Sequence, residues 1–123
     1  MTNKPKILIV EDDSLIVQIY TTRLELEGFK VICARDGEEG LAKFSKEQPD
    51  LVMLDLMIPK VSGVDLLKKI RATNKKVPVL VYTVLTDEDR IRAVKALGAN
   101  EYFIKGDTHP RHLVEKIKSY FVK

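Results

Sequence analysis

The sequence predicts an α/β fold, a five-stranded parallel sheet with helices on both faces. Three observations carry this. Short apolar runs alternate five times with longer amphipathic stretches. The runs are near-continuously apolar, as strands covered on both faces are. No repeat, low-complexity segment or linker interrupts the alternation over 123 residues, a length that fits one compact domain spanning 1–123. Right-handed crossovers between parallel strands distribute the helices to both faces.

Lys6 to Val10 (KILIV) is an apolar run of strand length. From Ser14, apolar residues recur at helical spacing at Ile16, Ile19, Tyr20 and Leu24, and the pattern stops near Gly28. Lys30 to Arg35 reads as the second strand, and Glu38 to Lys46 as a helix with Leu41 and Phe44 on one face. Asp50 to Leu54 is the third strand, followed by a loop with Pro59 and Gly63. Val64, Leu67 and Ile70 mark the third helix, and Pro78 to Tyr82 the fourth strand. Thr86 opens the fourth helix, with Ile91, Val94 and Leu97 inward and Gly98 as its stop. Glu101 to Ile104 is a short fifth strand. Asp107 or Thr108 caps the last helix, whose first turn accepts Pro110 and whose inner face is Leu113, Ile117, Tyr120 and Phe121.

Composition narrows the function. Hydrophobic residues make up 45% and charged residues 32%, enough for a core under a soluble surface. No apolar run approaches the ~18 residues of a membrane span. The N-terminal MTNKPKILIV lacks a signal-peptide pattern, so no leader is expected. The single cysteine, Cys33, has no internal disulfide partner, which fits a reducing cytoplasm, and within VICA it reads as a buried small hydrophobe. The net charge of +3 is spread thinly, with lysines loosely grouped at Lys68, Lys69, Lys75 and Lys76. A nucleic-acid binder would carry a denser basic stripe and a recognisable module, so a solvated basic face is expected.

Open parallel sheets gather function at the carboxyl ends of their strands. Strand 1 ends in Glu11-Asp12-Asp13, strand 3 in Asp55, strand 4 in Thr83, and strand 5 is followed by Lys105. If strands 1 and 3 are neighbours, their backbones lie ~4.8 Å apart, and Asp12 and Asp55 repel. Carboxylates this close raise a pKa or recruit a cation. Oxygen-only ligands suit a hard ion such as Mg²⁺, which keeps waters and binds phosphate oxygens. Some of these acids could simply cap the first helix, as Asp13 or Ser14 would. Asp55 interrupts the apolar LVML-D-LMIP, where an isolated carboxylate is costly.

With these residues assembled, the chain resembles the receiver domains of bacterial two-component systems over essentially its whole length. The resemblance rests on four signals in order: the acidic pair of ILIVEDD, the acceptor in MLDLMIP with Gly63 downstream, the threonine of VLVYT, and GANEYFIK. It implies a flavodoxin-like (βα)5 sheet of strand order 2-1-3-4-5. It implies that Asp12 holds Mg²⁺ directly and Glu11 through water, that Asp55 is phosphoacceptor and metal ligand, and that the Met57 carbonyl is a further ligand, with Mn²⁺ able to substitute. Thr83 and Lys105 match the groups that bind the acylphosphate, and Tyr102 the aromatic that turns inward when the threonine moves. The implied role is a switch and not a turnover enzyme, although the domain assists its own phosphorylation and hydrolyses its acylphosphate. The implied donor is a sensor histidine kinase or histidine phosphotransfer protein, and the implied readout face is the fourth helix, fifth strand and last helix. Through that face the protein would meet a downstream protein target or form a weak dimer.

Two positions depart from the family pattern. Val84 stands where a small residue is usual, and its branched side chain is expected to crowd the phosphorylation pocket. Gly106 follows Lys105 where proline with a cis peptide is usual. A cis bond without proline costs ~2.5–4 kcal/mol, so a trans peptide and a looser loop are expected. His109 and His112 read as surface or capping residues.

Rival readings fare worse. Phosphatases resembling the haloacid-dehalogenase group need a second acid two residues after the nucleophile, where this chain has Met57. A flavin binder would want a Thr/Ser/Gly-rich phosphate loop where Glu11-Asp12-Asp13 stands. The remaining alternative is a degenerate receiver serving as a phosphorylation-independent binding module. The opening Met1 and the full last helix favour a stand-alone protein.

Overall fold

The computed structural model describes residues 4–122. Five parallel strands form one sheet in the order β2-β1-β3-β4-β5. They are β1 (Lys6–Val10), β2 (Lys30–Ala34), β3 (Leu51–Leu54), β4 (Val79–Thr83) and β5 (Glu101–Ile104). They alternate with α1 (Ser14–Leu26), α2 (Gly37–Glu47), α3 (Gly63–Thr73), α4 (Glu88–Ala96) and α5 (Pro110–Ser119). The expected order 2-1-3-4-5 is the observed one.

Strand periodicity of two divides the core. Leu8, Val10, Val52, Leu54, Val79 and Val81 face one side, where Phe44 of α2, Leu66, Leu67 and Ile70 of α3, and Val94 of α4 cover them. Ile7, Ile9, Leu51, Met53, Leu80 and Tyr82 face the other, under Tyr20 and Leu24 of α1 and Leu113, Val114 and Ile117 of α5. The three central strands are therefore buried on both faces, which explains their unbroken apolar runs. The outer strands are less covered: Val31, Ile32 and Cys33 of β2 and all of β5 are half-buried. Cys33 is thus not the fully buried hydrophobe expected, because β2 is an edge; its sulfur lies 3.5 Å from Thr21 Oγ1.

The first helix starts at Ser14 as expected, with Asp13 as its cap, while the caps of the fourth and last helices differ from expectation by one or two residues. Asp13 caps α1, accepting from the Leu15 and Ile16 amides at 2.9 and 3.3 Å. Asp87, not Thr86, caps α4. At α5 neither Asp107 nor Thr108 is the cap: Thr108 Oγ1 donates backward to the Ile104 carbonyl, and His109 Nδ1 accepts from the Arg111 amide at 3.0 Å. Tyr120 and Phe121 lie just past the end of α5 yet still pack on its side of the sheet. On α1 the buried residues are Val17, Tyr20 and Leu24, while Ile16 and Ile19 are half-buried. Among the described residues no helix is long and apolar enough to cross a membrane.

Candidate functional site

Backbone pairing continues one residue past the strands and so positions the site. The Asp55 amide donates to the Val10 carbonyl (3.0 Å), the Glu11 amide to Ala34 (2.9 Å), and the Lys105 amide to Thr83 (2.8 Å). Four loops therefore leave the same rim with their first polar residues in register. Because Asp13 is occupied as the cap of α1, Asp12 is left exposed beside the buried Glu11. The close return of α3 behind Asp55 requires glycine: a Cβ on Gly63 would lie 2.4 Å from the Asp55 carbonyl oxygen and from Leu56 Cα.

Glu11, Asp12 and Asp55 each bring a carboxylate oxygen within 4.8 Å of the others. The Lys105 ammonium reaches two of these acids, 2.7 Å from Glu11 Oε1 and 2.7 Å from Asp55 Oδ2. The second Asp55 oxygen accepts from the Met57 amide at 3.0 Å, and the second Glu11 oxygen from the Asp13 amide at 3.1 Å. Glu11, Asp55 and Thr83 are the buried polar side chains of the described residues, with 2%, 5% and 0% of their surfaces exposed. Such burial is tolerable for the acids because each is paired and hydrogen-bonded. The Thr83 hydroxyl is different: it is buried and has no hydrogen-bond partner among the described residues.

Burial pushes the Glu11 carboxyl above the ordinary range, outweighing the hydrogen bonds from Lys105 and the Asp13 amide that pull it down. Burial would depress the Lys105 ammonium, but its bonds to Asp55 and Glu11 win and hold it above its usual value. The two acids share a single lysine cation, so the pocket keeps uncompensated negative charge. Oxygen ligands, close spacing and that excess charge fit a hard divalent cation.

The structure thus brings Glu11, Asp12, Asp55 and Lys105 together and sets Thr83 at the end of β4, next in the sheet to β3. Met57 meets Asp55 through its backbone amide, while its side chain is largely in solvent. Tyr102 is half-buried, and its hydroxyl donates to the Leu85 carbonyl at 2.8 Å, in the loop after Thr83. Val84, which follows the buried Thr83, is 56% exposed. The peptide after Lys105 is trans, and Gly106 adopts φ +92°, a conformation open to glycine. Lys105 nevertheless reaches both acids. One neighbour escaped the sequence reading: the Tyr82 ring, 5.6 Å from Lys105 Nζ. An aromatic in the otherwise aliphatic VLVYT was the available signal.

The family profile described as response regulator receiver domain matches residues 7–118. The chain belongs to the response-regulator receiver family. This receiver is similar to the probable transcriptional regulator ycf27 of Porphyridium aerugineum, 42% identical over 94% of this chain and 48% of that protein. It spans about half the length of the curated relatives it matches. Among solved structures, it is similar to a CheY-like receiver domain protein from Methanospirillum hungatei JF-1, with TM-score 0.90, 32% identity, and 96% and 94% of the two chains covered. It also resembles a chain of the CheX-CheY-BeF3-Mg²⁺ complex from Borrelia burgdorferi, with TM-score 0.88, 30% identity, and coverage of 97% of this chain and 90% of that one.

Proposed function

We propose that this receiver, occupying residues 1–123, takes a phosphoryl group onto Asp55 from a phosphohistidine donor and thereby changes its α4-β5-α5 face to control a protein partner. The observation that carries the reading is Lys105 bridging Glu11 and Asp55 at 2.7 Å each, inside a pocket of three converging carboxylates. A buried carboxylate in a cation-demanding pocket can take up an anionic phosphoryl group once a divalent cation offsets the negative charge.

Glu11, Asp12 and Asp55, with the Met57 carbonyl, would hold Mg²⁺, and Mn²⁺ could take its place. When bound, the ion offsets repulsion between the carboxylate and the incoming phosphoryl group and orients its oxygens. The protein's own share is positioning and charge neutralisation, since phosphoryl transfer demands little covalent chemistry from it. The Met57 amide and Lys105 hold the Asp55 carboxylate in a defined plane. An Asp55 oxygen forms the new P–O bond as the donor's P–N bond breaks, the imidazole nitrogen keeping the electron pair. Lys105 then turns to the phosphoryl oxygens. Thr83, whose buried hydroxyl has no partner among the described residues, donates to the same group, and Tyr102 follows as its anchor at Leu85 shifts. Hydrolysis of the acylphosphate by water resets the switch.

The partners that fit are a sensor histidine kinase or histidine phosphotransfer protein upstream and a protein target downstream, in the cytoplasm. The protein is read as a monomer or a weak dimer through α4, β5 and α5. Leu15, Met57 and Val84, all largely exposed on loops or first turns at the acidic rim, supply apolar contact for a docking donor.

The test is intact mass after incubation with acetyl phosphate and Mg²⁺, beside Asp55→Asn. A single phosphoryl adduct on the wild type alone, lost without metal, is the expected result. No adduct from acetyl phosphate or from a promiscuous histidine kinase would sink the reading and leave a phosphorylation-independent binding module.

A further inference from the structure

We propose that Tyr82 is the positioning residue for Lys105, its ring face holding the ammonium at the mouth of the carboxylate pocket and Tyr20 bracing the ring from α1. The importance of that position for phosphoryl transfer rests on the reading of Asp55 above; the placement itself does not.

A lysine ammonium has three N–H donors and no acceptor. Two are accounted for by Glu11 Oε1 and Asp55 Oδ2. The ammonium also sits over the Tyr82 ring, 5.6 Å from its centroid, inside the ~6 Å range of a cation–π contact. A ring face attracts the cation without neutralising it, so the ammonium is steadied while keeping its full charge for a phosphoryl oxygen.

The Lys105 backbone is fixed by its amide hydrogen bond to the Thr83 carbonyl at 2.8 Å, but that bond does not set where the long side chain ends. Gly106 adopts a glycine-type φ of +92°, and a Cβ placed there would meet nothing within 4 Å. No side chain follows at position 106 to wall the lysine in, so the position of its ammonium is set by what it touches. Tyr82 is suited to hold it, being only 7% exposed and fixed in β4 immediately before Thr83. Its ring meets Tyr20 edge-on, with centroids 5.4 Å apart and planes at 70°. Tyr20 is 1% exposed on the inner face of α1. The stack therefore runs from α1 through β4 to the ammonium.

Two measurements on the full chain test this. First, selective labelling of lysine reports the methylene beside the Lys105 ammonium in metal-free, unphosphorylated protein. Tyr82→Phe should keep its ring-current displacement, and Tyr82→Leu should abolish it. Tyr82→Met, closer in volume and without a ring, stands in if the leucine variant does not fold. Second, the rate of labelling by acetyl phosphate with Mg²⁺ is compared in a double-mutant cycle with Lys105→Met. Tyr82→Phe should stay near the wild-type rate. Loss of the ring should slow labelling by about two- to thirtyfold, the range of a cation–π contact, and cause no further loss when Lys105 is already gone. An undisplaced Lys105 signal in the wild type, or an equal slowing in the Lys105→Met background, would overturn the proposal. A wild type that takes no phosphoryl group instead sinks the phosphoacceptor reading, and the labelling spectra still decide the placement of Lys105.

Discussion

At the scale of single residues, the site works by unequal burial of similar groups. Glu11 and Asp55 are buried and share one ammonium, while Asp12, next in sequence to Glu11, is exposed. On the proposed reading, this leaves one acid at the surface to meet a cation and two held by hydrogen bonds. Val84 belongs to this scale as well. With 56% of its surface exposed directly after the buried Thr83, it can obstruct approach only in part. Val84→Ala should therefore speed labelling by acetyl phosphate, or loss of the label, by less than about tenfold, a barrier change under about 1.4 kcal/mol. Mass-resolved time courses check this, and unchanged rates in both directions would discard the steric role.

At the scale of elements, α3, α5 and the loops around β5 are tied by polar contacts that the apolar pattern does not encode. Arg71 at the end of α3 donates twice to the Gly98 carbonyl, at 3.0 and 2.8 Å, and once to Asn100 Oδ1 at 3.0 Å. Asn100 in turn accepts from the Val79 amide at 2.9 Å, joining α3, the end of α4 and β4. On the far side, the Tyr120 hydroxyl donates to Glu101 at 2.9 Å and links the end of α5 to the start of β5. Burial, and then that bond, push the Tyr120 phenol from its ordinary 10.0 up to about 12. A raised pKa in the fold means the contribution is complete below pH 10 and is lost as pH climbs toward 12. Denaturant unfolding across that alkaline window should show stability falling in the wild type, with a flatter profile for Tyr120→Phe. Parallel profiles would show that the link does not hold α5 to β5. The readout face proposed for the switch includes this link, so α5 can respond to movements of β5.

At the scale of the whole molecule, the question is whether one phosphoryl group can move the domain. It adds about 1.5 to 2 negative charges, and two hydrogen bonds from Thr83 and Lys105 to a charged group supply ~3–6 kcal/mol before costs. Moving an equilibrium from about 1:99 to 99:1 takes ~5.5 kcal/mol, so the proposed switch reaches completion only at the upper end of that range. Breaking the existing Lys105 contacts with Glu11 and Asp55 is among the costs. Metal binding can be weighed in the same terms. At a hundredfold excess over its Kd, Mg²⁺ should raise the unfolding free energy by about 2.7 kcal/mol through binding only the native state. Thermal unfolding with and without Mg²⁺ should show that gain, most of it lost in Asp55→Asn. An equal gain in the variant would place the ion elsewhere.

Much of this was legible in the sequence, because it rests on local patterns. Unbroken apolar runs at Ile7–Val10, 51–54 and 79–81 announce strands covered on both faces, and the helical spacing between them announces crossovers. Polar residues just after those runs, Glu11, Asp12, Asp55 and Thr83, must fall on one rim of a parallel sheet. The tertiary structure alone decided what depends on distance between elements. Those outcomes include Lys105 bridging two acids, one of them fifty positions away, and the Thr83 hydroxyl left without a partner among the described residues. The Tyr82 ring beneath the ammonium and the half-burial of Cys33 on an edge strand belong with them. Caps were decided in between, as at His109, where three adjacent residues could each accept a hydrogen bond and the path of the chain chose one. The physical reason is range. Periodicity and propensity act over a turn or a strand, whereas charge pairing and burial depend on which surfaces the fold brings face to face.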